Sequence, residues 1–242
     1  MYPINESTVS SLLSVVDQGL TKGLGSPVPG HMCVEAAVCY SLGLPHSDDP
    51  LCVAPSLRKL KIQINDANWS SNAARAKGLR RLAVAQLGTK DTLNEKEFAE
   101  RVAIMLVKTT LADIVEDETL RNKCRAVETI EEAREAAVAV NNAPAVYATA
   151  TAAAYYAAAY ADADYAARAA VYAATAANAV YYAAANAVYY AAAYAADYAA
   201  TAAATARAAA GDKVLSDFCE LVVQILIEMK APGCEYLYLT EN

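Results

Sequence analysis

The sequence predicts an all-α protein, and three observations carry that expectation. Residues 145–210 are built almost entirely of alanine and tyrosine, holding all but Tyr2, Tyr40, Tyr236 and Tyr238 of the 16 tyrosines, with no glycine or proline between Pro144 and Gly211. Alanine is the strongest helix former, and nothing in the run offers the backbone a better alternative. Elsewhere, apolar residues recur at helical spacing between capping residues and Gly/Pro breaks. Strand-like alternation is confined to residues 235–239, EYLYL.

In order along the chain, residues 7–20 place Val9, Leu12, Leu13, Val16 and Leu20 at helical spacing, with Ser7 or Thr8 positioned to cap. The segment TKGLGSPVPG then forms a loop, and a second helix is expected from about Met32 to Leu42, ending at Gly43. LPHSDDP breaks the chain again. Pro55 suits the first turn of a third helix running through Ile64. This helix buries Leu57, Leu60 and Ile64 and leaves Arg58, Lys61 and Asn65 on a neighbouring face. Ser70 or Ser71 caps a fourth helix that reaches about Leu87 and stops at Gly88. Gly78 inside it is costly unless something packs closely there.

Residues 93–115 form a fifth helix, with Asn94 and Glu97 as a capping box. Residues 113–135 are acidic and predict a helix with one solvent-facing side. Asn141, Asn142 and Pro144 mark a boundary, dividing the chain into an N-terminal helical domain, 1–142, and a second region, 143–242, packed on it. In the second region Asp212 caps a final apolar helix from Val214 to Met229, ending before Pro232 and Gly233.

The block NAVYYAAA occurs at Asn178 and again at Asn186. Eight residues advance a helix by about 80°, so its rings form no single stripe. One uninterrupted helix over the whole run would span about 100 Å. Two or more helices are therefore expected, with turns near residues 162–164 or at Asn178 or Asn186. A helix apolar all round is a buried frame or an interface between copies, so the fold is expected to be a multi-helix bundle that forms an oligomer. Its threonines follow no ice-binding spacing. Arg168 and Arg207, set against Asp162, Asp164 and Asp197, give the wrong charge for a nucleic-acid groove.

A formal net charge of -7 excludes general nucleic-acid binding. Residues 169–196 carry no charge but are poor in the side chains that drive membrane insertion. Glu6 and Asp17 interrupt the first segment, which lacks the character of a signal peptide. The six scattered cysteines are expected to be free thiols in a reducing cytoplasm.

Against this acidic background, residues 58–81 hold Arg58, Lys59, Lys61, Arg75, Lys77, Arg80 and Arg81 with Asp66 as the one acid. That surplus points to a small anionic ligand. Ser70, Ser71 and Asn72 lie at a helix start, where free N–H groups favour phosphate. Trp69 can stack a base, and Asn65, Asp66 and Asn68 can read its polar edge. The bland alternative is a solvated basic face with Trp69 as a core anchor. A second group comprises His31, Cys33, Glu35, Cys39, His46, Asp48, Asp49 and Cys52. It matches no zinc spacing, and a Cys–His nucleophile pair has no further signature there. No cofactor motif is present.

Residues 33–88, from CVEAAVCYSLGLPHSDDP through NWSSNAARAKGLRRLAVAQLG, the acidic helices, the Ala/Tyr run and the closing VVQILIEMKAPGCEYL together resemble a group of uncharacterised bacteriophage-encoded proteins. The resemblance implies a phage product made in the bacterial host cytoplasm, and it carries over no catalytic residues. The expected function is an anti-defence binding protein, a sponge that sequesters a nucleotide-derived signal such as a cyclic dinucleotide or a cyclic ADP-ribose isomer without catalysis. The alternative is an inhibitor that binds a host defence protein through helical surfaces. A nucleotide hydrolase ranks third.

Overall fold

The computed structural model describes residues 4–115, 117–140 and 196–241, and its regular structure is helical. The Ala/Tyr run up to residue 195 lies outside the described residues. The expected turns at 162–164, Asn178 and Asn186, and the boundary at 142, lie there too.

Helix α1 (Glu6–Val16) is capped not by Ser7 or Thr8 but by Asn5, two residues before Ser7, whose side-chain oxygen accepts the Thr8 N–H at 2.9 Å. It closes at Asp17, and Gly19, at φ 112°, redirects the chain. Helix α2 (Val34–Ser41) starts where Cys33 Sγ accepts the Ala36 N–H at 3.4 Å. Helix α3 (Pro55–Asn65) has proline in its first turn, as expected. Ser71 caps α4 (Asn72–Ala85), accepting the Ala74 N–H at 3.0 Å, and Gly88 turns the chain at φ 76°.

Asn94 caps α5 (Glu95–Leu106), which continues through a π-helical turn (Val107–Leu111) into α6 (Ala112–Ile114). The acidic stretch divides into α7 (Glu118–Arg125) and α8 (Ile130–Val140). Two expectations are corrected at the C-terminus. Helix α9 (Ala196–Glu228) passes through Gly211 and Asp212 without a break, so Asp212 is an interior helical residue and not a cap. The EYLYL stretch belongs to a 3-10 segment (Pro232–Thr240), and the described residues contain no strand beyond the isolated bridge between Gly25 and Met32.

Helix α4 is the centre of the packing and meets α1, α2, α9 and the 3-10 segment. The core around it includes Leu12 and Phe218 and runs on to Leu57, Leu60 and Phe98, all fully or almost fully buried. Gly78 faces a close approach. A Cβ there would stand 2.3 Å from a Trp69 ring carbon and 2.9 Å from Ser216 Oγ, so only glycine lets the Trp69 corner and α9 close on α4. Gly233 plays the same part at the end of α4, where a Cβ would meet Val84 O at 2.2 Å. No helix among the described residues is long and apolar enough to cross a membrane.

Candidate functional site

The basic residues of the 58–81 stretch are close in sequence but turn to different partners. Arg58 pairs with Asp49 at 2.5 Å, Arg80 with Asp17 at 2.6 Å, and Arg81 with Glu220 on α9 at 2.9 Å. Arg80 also donates to the Thr240 carbonyl, holding the C-terminal segment against α4. Lys61 is fully buried against Glu35 on α2 at 3.0 Å. The anions that answer these four cations lie outside the 58–81 stretch, so much of the surplus visible along the chain is paired in space.

Three of the expected residues do meet. Buried Arg75 donates to the Asn65 carbonyl at 2.7 Å, to the Leu20 carbonyl at 3.0 Å and to Asn72 Oδ1 at 2.7 Å. The Asn65 side chain in turn accepts the Val34 N–H and donates to Thr21 O and to Asp66. Asp66 accepts the Gly23 N–H at 2.7 Å. This network ties α3, α4, the start of α2 and the residue 20–24 loop together. Trp69 is 8% exposed and donates its indole N–H to Ile64 O at 2.8 Å, anchoring the corner between α3 and α4. Ser71 caps α4, and Asn68 is exposed on the connection. Ser70 donates its N–H, at 2.8 Å, and its hydroxyl to Asp212. The helix start expected to hold a phosphate thus already holds a carboxylate of α9.

In the second group, His31 precedes α2 and is exposed, so it shares no helix face with Glu35. His46 Nε2 lies 3.3 Å from Gly25 O. Cys33, Cys39 and Cys52 are buried, and burial pushes each thiol up, that of Cys39 to about 12. The nucleophile is the thiolate, so these thiols are protonated near neutrality. Burial also raises the Glu35 carboxyl, which Lys61 opposes, and lowers the Lys61 ammonium, which Glu35 opposes. Among the described residues, no three His, Cys, Asp or Glu side chains stand where they could hold a metal ion.

A well-formed concavity lies elsewhere among the described residues. A groove of about 560 Å³ opens between the turn after α4, the residue 51–52 corner and the 3-10 segment. Gly88 makes the turn, Lys90 N–H donates to Cys52 O at 3.2 Å, and Gly233 N–H donates to Leu87 O at 2.9 Å. The Tyr236 hydroxyl donates to Ile4 O at 3.1 Å and closes the far wall. Ile4, Leu51, Pro232 and the Tyr236 ring supply apolar surface, and Lys90, Asp91 and Glu235 are charged groups in the lining. None of the residues singled out between Arg58 and Arg81 lines it, and of the second group only Cys52 does. Its walls come from four separate segments, so no local motif announces it. No family model matches the chain, and no curated protein or solved structure shows significant similarity to it.

Proposed function

We propose that the protein acts by binding a partner protein without catalysis, taking a short apolar segment that carries a basic group into the groove beside the Gly88 turn. The groove carries this reading. Its volume of about 560 Å³ lies within the usual range of binding pockets, and it joins an apolar wall to two carboxylates, Asp91 and Glu235, against one ammonium, Lys90. Exposed Leu51 adds apolar surface at the margin. In the phage setting that the sequence resembles, the partner is a host defence protein and the chain is its inhibitor. The nucleotide-sponge reading rests on Arg58, Lys61, Arg75, Arg80 and Arg81. A phosphate arriving at these residues competes with acceptors already in place.

Fluorescence anisotropy with labelled Leu/Phe peptides flanked by Lys/Arg or by Asp/Glu tests the proposal, with calorimetric titration of cyclic dinucleotides in parallel. The basic peptides are expected to bind, and the double variant Asp91→Lys/Glu235→Lys to reverse the preference. Peptide binding without charge discrimination overturns the reading. So does tight binding of a cyclic dinucleotide that the double variant leaves unchanged.

A further inference from the structure

A second, much smaller cavity of about 30 Å³ lies under residues 23–24, lined in part by Glu35, Asn65, Cys33, Asp48 and Asp66. Glu35 and Lys61 are both wholly buried and meet at 3.0 Å. Beyond that contact, neither Glu35 oxygen nor Lys61 Nζ has a hydrogen-bond partner among the described residues. A carboxylate has about four acceptor sites and an ammonium has three donors. A buried ion pair left in this condition is costly unless its remaining sites are satisfied.

We infer that this cavity is a hydration site: a water molecule bound there to the Glu35 carboxylate fills acceptor sites that Lys61 leaves open. The volume fits water and is too small for an organic ligand. The lining is mixed, but it includes the polar groups that a retained water needs, with Asp48 and Asp66 as further acceptors across the cavity. Asn65 does not complete Glu35 itself, because its amide is engaged by Val34, Thr21 and Asp66. A metal ion is disfavoured by geometry, since no cluster among the described residues is arranged to ligate one. The site is independent of the groove.

The test is an atomic-resolution crystal structure of the whole chain together with oxygen-17 magnetic relaxation dispersion in solution. A density peak within hydrogen-bonding distance of Glu35 is expected. The dispersion is expected to lose the contribution of a single long-lived water in the double variant Glu35→Met/Lys61→Met, which keeps side-chain volume and removes the carboxylate that holds the water. An empty cavity overturns the inference, as does a metal ion in the water's place or a dispersion unchanged in the double variant. If that variant fails to fold, the density of the natural protein decides alone.

Discussion

Ser70 donates both its backbone N–H, at 2.8 Å, and its hydroxyl to the carboxylate of Asp212, which projects from the middle of α9. The chain thereby supplies its own anion at the start of α4. Replacing Asp212 with alanine removes two hydrogen bonds at an exposed site where water can substitute, so the expected loss is about 1 kcal/mol. It should appear as a lower urea midpoint at an unchanged slope. A drop in slope would instead mean that α9 had detached.

Eight residues along α9, Glu220 meets Arg81 at 2.9 Å, with both side chains more than 40% exposed. Solvent screens such a pair, and its contribution is expected to be at most about 1 kcal/mol. Arg81→Glu should therefore destabilise modestly. Arg81→Glu/Glu220→Arg should recover most of that loss in denaturation at low salt, and the recovery should shrink as salt is added.

Gly78→Ala separates two opposed effects. Alanine gains about 1 kcal/mol of helix propensity over glycine. Its methyl, however, would sit 2.3 and 2.5 Å from two Trp69 ring carbons, and overpacking of this kind costs about 1–3 kcal/mol or more. Net destabilisation is expected, with a shift in the emission of Trp69, the only tryptophan. Adding Trp69→Phe removes the clashing ring edge and should restore part of the loss.

The helices were legible where their signals are local: Pro55 in the first turn of α3, Ser71 and Asn94 as caps, and Gly88 after α4. The buried face of α3 was legible as well, in Leu57, Leu60 and Ile64. Features set by distant partners were not. Lys61 looks like a solvent-facing residue until Glu35 arrives from α2, and Asp212 looks like a cap until Ser70 takes its carboxylate. The alternating Tyr236–Leu237–Tyr238–Leu239 suggests a strand. Tyr236 bonds to Ile4 and Tyr238 to Glu6, and with Gly233 pressed on the end of α4 they hold a 3-10 path instead.

The thiols give a pH prediction. Cys39 is raised from 9.0 to about 12 because burial penalises its thiolate. The folded protein holds a proton that the unfolded chain releases, so this stabilisation is complete below pH 9 and is lost as pH rises towards 12. The urea midpoint should fall across that window, and Cys39→Ala should flatten part of the fall. In the native protein at neutral pH, half-buried Cys234 should react first with a thiol reagent, while Cys33, Cys39, Cys52, Cys124 and Cys219 should react only on unfolding.

The pair Glu35–Lys61 permits a complete double-mutant cycle. Lys61→Met leaves a wholly buried carboxylate without its cation, and Glu35→Met does the reverse. Each is expected to cost about 3–5 kcal/mol. The double variant replaces both charges with unbranched apolar side chains, so it should lie close to the natural protein in stability or above it. A double variant that costs as much as the two single changes added together would mean that the charges are not coupled. The cavity beside Glu35, and not Lys61, would then be what keeps that carboxylate in the core.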